Sequence, residues 1–209
     1  MAHRTLLKNW RLILAATVLL LAGTPGDARA SWLYYHKPAF EGQILDAETK
    51  QPIEGAVVAA LYRKGTLGLG AGSTHPLIHV KEALTDKDGK FRIPSYTTLI
   101  QPFSWSDAVI FIIYKPGYFS VDSNNTFYYE GLFSGQYPAS LNKTLPWRAD
   151  KNINIIVRSP NIVELPVART RDERLNAWRF AGLGVYEDEW SEKSILVNKL
   201  HEEEEYLYQ

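Results

Sequence analysis

Between residues 40 and 157 the chain is cut into short apolar runs by turn residues, and this punctuation limits the possible folds more than any other feature. Residues 40–45 (FEGQIL) alternate loosely, and 56–63 (AVVAALYR) are β-branched or small. Lys90–Ile93 sets Phe91 and Ile93 on one side and Lys90 and Arg92 on the other; residues 152–157 (NINIIV) alternate again. A period of two marks a half-buried strand. Residues 108–114 (AVIFIIY) are apolar on both sides, which predicts a central strand, closed by Pro116-Gly117. DAETKQPIEG (46–55) and GTLGLGAGSTHP (65–76) have turn and loop composition. Short strands with frequent turns and no helical period between them predict an antiparallel sandwich. Residues 118–150 carry eight aromatic side chains, among them Tyr128, Tyr129 and Trp147. Structureless loops of that length are uncommon in compact domains, so this segment is expected to pack on the sandwich and add a short strand.

The two ends differ from this middle. Arg4, Lys8 and Arg11 precede an apolar run over 12–22, followed by Ala28-Arg29-Ala30. That order predicts a secretory signal peptide cleaved after Ala30, and hence export to the periplasm or beyond. The run is shorter than the roughly 20 residues that span a bilayer, so a retained membrane anchor is the weaker alternative. No cysteine follows it to carry a lipid. The 209 residues have a formal charge of zero, and loss of residues 1–30 would leave a slightly acidic chain, with nothing to suggest a nucleic-acid partner. The absence of cysteine rules out disulfides, thiolate nucleophiles, thiolate zinc sites, iron–sulfur clusters and c-type haem attachment. Stability must come from burial.

Near the C-terminus Thr170-x-x-Glu173 is a capping box, predicting a helix through RDERLNAWRF that stops near Gly182-Leu183-Gly184. A second helix is expected from about Glu187, with Trp190, Ile195, Leu196, Val197 and Leu200 on its apolar side. The acidic run 202–205 reads as a solvated helix end. The alternative is a helix that docks on the sandwich or on a partner.

Several short motifs, taken in order, resemble the carboxypeptidase regulatory-like domain. They are Gly42-x-Ile44-x-Asp46, Thr49-x-x-Pro52-Ile53-x-Gly55-Ala56-x-Val58, Thr85-Asp86-x-Asp88-Gly89-x-Phe91 and Tyr114-x-x-Gly117-Tyr118. The resemblance implies a mainly β fold: a seven-strand antiparallel transthyretin-like (prealbumin-like) β-sandwich over residues 31–160, with 152–157 as its last strand. It implies an exported location and no reaction. Residues 161–209 fall outside it and form a helical C-terminal extension.

Asp86, Asp88 and Gly89 suggest a calcium loop, but neither register supplies oxygen ligands at the required positions. Asp88-Gly89 reads instead as a hairpin corner, with Asp86 bonding backbone amides. His79-x-x-Glu82 with a distant His201 resembles a zinc set, yet on a strand positions i and i+3 face opposite ways. His75 and His79 would share a helical face, which Pro76 and the nearby glycines deny them. Gly65, Gly68, Gly70 and Gly72 fit no phosphate-loop pattern. The Tyr-Arg-Gly-Ser ending of hydroxyisourate hydrolase, the iron ligands of intradiol dioxygenases and the G-x-S-x-G nucleophile motif are all missing. Exposed aromatics (Trp105, Tyr128, Tyr129, Trp147) could stack on sugars. Asn124-Asn125-Thr126 and Asn142-Lys143-Thr144 match the glycosylation sequon, which matters only in a secretory system that glycosylates. The expectation is an exported, non-enzymatic interaction or accessory module of the bacterial cell envelope, with no catalytic, cofactor or metal residues and no cofactor. An envelope protein bound through the C-terminal helices is the expected partner. The alternatives are a carbohydrate-binding accessory module that takes a polysaccharide, and an unrecognised hydrolase or metalloenzyme.

Overall fold

A computed structural model describes residues 34–68, 72–100, 104–121, 126–136, 142–146, 154–158, 160–182 and 194–208. Its strands are β1 (Tyr34–Lys37), β2 (Phe40–Asp46), β3 (Val57–Gly68), β4 (Gly72–Thr74), β5 (Leu77–Leu84) and β6 (Lys90–Ile93), then β7 (Tyr96–Leu99), β8 (Ser104–Ser106), β9 (Ile110–Tyr114), β10 (Asn142–Pro146), β11 (Asn154–Arg158) and β12 (Ile162–Leu165). The helices are α1 (Thr126–Phe133), α2 (Arg171–Gly182) and α3 (Ile195–Leu207). The chain is mainly β, with several sheets and a helical C-terminal part. Among the described residues no helix is long and apolar enough to cross a membrane.

One sheet runs β10-β11-β12-β2-β6. A second five-stranded sheet is organised by β3, whose first half pairs with β5 on one side and β9 on the other, and whose second half pairs with β4 and β8; β1 and β7 form a separate two-stranded antiparallel sheet. The sequence of β3 explains that position. Ala56, Val58, Ala60 and Tyr62 point into the core between the sheets, whereas Val57, Ala59 and Leu61 join a second apolar cluster with Ala181, Leu196 and Leu200 from the helices. A strand that is apolar on both faces needs a cover on both, and α2 and α3 supply the outer one. β9 is covered on both faces in the same way, through Phe111 and Ile113 inward and Ile112 and Tyr114 outward. The central position nevertheless belongs to β3.

Several expectations need correction. Residues 65–76 are not a loop throughout, since β3 runs to Gly68 and β4 spans Gly72–Thr74 on its edge. The pair β12–β2 is parallel, against an all-antiparallel sandwich. Only short turns force neighbours to run antiparallel, and more than a hundred residues separate these strands. Residues 152–157 do not hold the last strand, because β12 follows β11 in an antiparallel pair and carries the sheet past residue 160 into the expected extension. Asp88-Gly89 is a turn but not a hairpin corner: β5 pairs with β3 and β6 with β2, so the turn carries the chain from one sheet to the other. The second helix begins at Ile195, where Ser194, in an extended conformation, caps it through Val197 N–H. Glu187 and Trp190 lie outside the described residues. The described residues of the segment 118–150 do pack on the β core and do include a strand, β10, as expected. They also include α1, which was not expected; Tyr129, Leu132 and Phe133 from its face are buried against Phe91 and Phe111.

The motif residues hold the corners together. Asp46 Oδ1 accepts from the amides of Glu48 and Thr49 at 2.8 Å each, and Tyr118 OH donates to its Oδ2 at 3.1 Å. Burial opposes the charge on Asp46, but the amides of Thr49 and Glu48 and the Tyr118 hydroxyl outweigh it and hold its carboxyl below the usual range. Thr85 Oγ1 donates to Ile53 O and accepts from Ala56 N. Gly89 has φ +72°, and a Cβ there would lie 2.5 Å from Ile44 O, so only glycine fits this corner.

The capping box forms as expected: Thr170 Oγ1 accepts from Glu173 N, and Glu173 Oε2 accepts from the amides of Thr170 and Arg169. The helices dock on the sheet. Glu82 of β5 accepts from Ser194 Oγ (2.7 Å), Ile195 N (2.8 Å) and Leu196 N (3.1 Å), so a strand carboxylate caps α3. Arg174 forks onto Glu203 at 2.8 and 2.9 Å, and Trp178 Nε1 donates to Leu200 O. The acidic run is therefore not a uniformly solvated end: Glu202 and Glu205 are exposed, but Glu203 is buried.

Candidate functional site

The structure separates most of the sequence candidates. Asp86 Oδ1 accepts from the amides of Asp88 and Lys90 at 2.9 Å each, and Asp88 O accepts from Gln43 Nε2. Those contacts account for the motif as a turn. His79 faces the inner side of β5, paired with Tyr62, whereas Glu82 is paired with Ala59 on the helix side. Both oxygens of Glu82 serve the α3 cap, and His201 stands exposed on α3. The three cannot meet at one ion, and among the described residues no three His, Cys, Asp or Glu groups lie close enough to hold a metal. The His79 ring stacks on Tyr96 at 4.6 Å; burial first, and then the Lys81 charge, push its pKa down. Tyr129 is buried, while the side chain of Tyr128 and all of Trp147 lie outside the described residues. Asn124 and Asn125 also lie outside them, and Asn142 opens β10.

An aromatic cluster joins the buried Tyr35 and Tyr62 to the half-buried Tyr96, beside the Lys37–Glu130 ion pair at 2.6 Å. Among the described residues the hydroxyls of Tyr35 and Tyr62 find no hydrogen-bond partner, and burial, reinforced by Glu130, pushes both pKa values well up. Both rings are fully buried, so this cluster belongs to the core.

The remaining aromatic candidate, Trp105, is exposed, and the fold surrounds it with polar groups. It lies on β8, paired across the ladder with Gly65 of β3. Gly65 has no side chain, and the indole rests directly on it: a Cβ there would sit 2.0 Å from the ring. One indole face is thus seated on the strand while 42% of the residue remains exposed. The His75 ring stands edge-on to it, with centroids 6.2 Å apart. His75 Nδ1 is 2.6 Å from Asp107 Oδ2, and His75 Nε2 is 3.2 Å from Ser73 Oγ. Asp107 is fixed through its other oxygen, which accepts from Ala108 N at 2.8 Å, and Arg63 Nη1 donates to the His75 carbonyl. This end of the sheet therefore presents an aromatic platform beside a hydroxyl, an imidazole and a carboxylate in series.

Sequence reasoning had noted Trp105 and His75 separately and missed Ser73 and Asp107. Residues 65–76 read as a loop, so nothing in the sequence placed Ser73 beside His75; β4 (Gly72–Thr74), paired with β3, sets Ser73 there. Asp107 lies 32 residues from His75, and only the pairing of β4 and β8 on opposite sides of β3 brings it there. Compared with family models, with curated proteins and with solved structures, the chain has no match.

Proposed function

We propose that the chain is an exported accessory module of the cell envelope, a transthyretin-like sandwich of the carboxypeptidase regulatory-like type that binds carbohydrate on its Trp105 face. Seven strands fit such a sandwich, β2, β6, β11 and β12 facing β3, β5 and β9. The motif residues Asp46, Thr85, Gly89 and Tyr118 serve as its corner ties, which supports the family reading. The signal-like N-terminus supports export; N-terminal sequencing of protein recovered from cells should then begin at Ser31.

The exposed indole of Trp105, seated on Gly65 with His75 and Asp107 beside it, carries the binding reading. The C–H face of a sugar ring stacks on such an indole, and a carboxylate and an imidazole bond its hydroxyls. Binding of this kind requires no reaction. Polysaccharide pull-down with the folded protein should retain it, and Trp105→Ala should weaken retention at least tenfold. Silence across a glycan panel, or equal retention by Trp105→Ala, would count against the reading.

An envelope protein is the second reading, and the structure restricts where it could bind. The apolar sides of α2 and α3 face the sheet, so a partner would meet the seam between α2 and the end of α3, where Tyr206 and Tyr208 are 62% and 59% exposed, Tyr206 under the Arg174 guanidinium at 4.2 Å and Tyr208 edge-on to Trp178 at 6.4 Å. Cross-linking in intact cells should lose any such partner in Tyr208→Ser. A partner that persisted would have to bind elsewhere.

A further inference from the structure

The polar series at the Trp105 face has the connectivity of a serine nucleophile and its base, and we propose that Ser73 is an acyl acceptor activated by His75 and oriented through Asp107. The order of atoms carries the inference: Ser73 Oγ to His75 Nε2 at 3.2 Å, then His75 Nδ1 to Asp107 Oδ2 at 2.6 Å. A nucleophile–base bond on one ring nitrogen and an orienting carboxylate on the other is the constellation that lets a neutral imidazole take a hydroxyl proton. Asp107 sets the tautomer, because its oxygen accepts the proton on Nδ1 and leaves Nε2 as the free base. The Ala108 amide holds that carboxylate in place. Ser73 is exposed on β4, an edge strand entered through Gly72 at φ +90°, so an incoming carbonyl has access.

The substrate class is a small acyl ester of a hydroxylated ligand. Ser73 Oγ bonds to the ester carbonyl carbon as its proton passes to His75 Nε2. The carbon–oxygen bond to the alcohol then breaks, and the alcohol leaves with that proton. Water, losing a proton to the same nitrogen, attacks the acyl-serine; the carboxylic acid departs and Ser73 regains its hydrogen. That the alcohol is a sugar rests on the carbohydrate reading above, whereas the acyl transfer does not.

The test is labelling of the intact protein with a fluorophosphonate, the adduct being located by peptide mass spectrometry, with p-nitrophenyl acetate hydrolysis as the second readout. The adduct should lie on Ser73 and vanish in Ser73→Ala. His75→Gln should slow both labelling and hydrolysis about 100-fold, the loss expected for a missing general base. Far-ultraviolet circular dichroism checks that each variant is folded. No adduct, an adduct on a tyrosine instead, or an unchanged rate in folded His75→Gln would overturn the proposal. The polysaccharide pull-down does not read Ser73, so failure of one reading is distinguishable from failure of the other.

Discussion

Two polar clusters, one beneath the C-terminal helices and one at the Trp105 face, use similar side chains in opposite ways. Beneath the helices, Glu82 accepts three hydrogen bonds and Glu203 is forked by Arg174, with Glu203 only 3% exposed. Each carboxylate is matched by donors of the same chain, as a buried charge must be. At the Trp105 face, the side chains of His75 and Asp107 are 44% and 30% exposed, and an aromatic surface adjoins them. Residue type alone therefore does not mark a site. Glu82, part of a zinc-like spacing that strand geometry already argued against, is a helix cap, while Asp107, which no sequence motif marks, lies half-exposed beside His75.

The largest effects should come from the helix side. Leu196 is fully buried between α3 and the sheet, and Leu196→Ala should lower unfolding free energy by about 3 to 4 kcal/mol through the cavity it leaves. Arg174→Ala strands the Glu203 carboxylate and should cost about 3 kcal/mol. Urea unfolding curves measure both; an unchanged midpoint in either variant would mean that the helices add nothing to the stability of the sheets they cover. Glu82→Ala removes the acceptor for two amides and a hydroxyl and should cost about 1 to 2 kcal/mol, in the range of a lost N-cap.

What could be read from the sequence follows the reach of each signal. The capping box at Thr170 was legible because its partners lie three residues apart, and β6 because Phe91 and Ile93 alternate with Lys90 and Arg92. The Asp88-Gly89 turn was legible as a turn, since positive φ and amide bonding are local needs. Which strands it joins was not, because pairing depends on contacts far along the chain. α1 was missed because its Tyr129, Leu132 and Phe133 spacing sits in an aromatic stretch where strand formers dominate. At the candidate site the sequence exposed one half, Trp105 and His75, and hid the other half in the β3 ladder.

Asp46 gives a pH test that leaves the helices aside. Its folded carboxyl is held below the ordinary aspartate value by the Thr49 and Glu48 amides and Tyr118, against the pull of burial. The sign follows from linkage. The unfolded chain takes up this proton first, near pH 3.9, so the stabilisation is complete above that pH and is lost as pH falls through the lower folded value. Asp46→Asn should be less stable than the parent at neutral pH, and the gap should shrink as pH falls below about 4. A gap independent of pH, followed by thermal melts, would remove the charge from the explanation.

The smallest effect is the most informative. His75→Ala breaks a charge-capable pair with Asp107 just as Arg174→Ala breaks one with Glu203, so the two variants compare similar chemistry at different depths. At the exposed site water can replace the lost partner, and the Ala108 amide still holds Asp107. Surface pairs contribute about 0 to 1 kcal/mol, so the unfolding free energy of His75→Ala should stay within about 0.5 kcal/mol of the parent. On the proposed carbohydrate reading its retention on polysaccharide should nevertheless fall, since that reading assigns the imidazole to the ligand. If His75→Ala instead destabilised the fold as strongly as Arg174→Ala, the imidazole would be a tie between β4 and β8. The contrast between a saturated cluster and an open one would then collapse, because the Trp105 face would be held together by the very groups it presents.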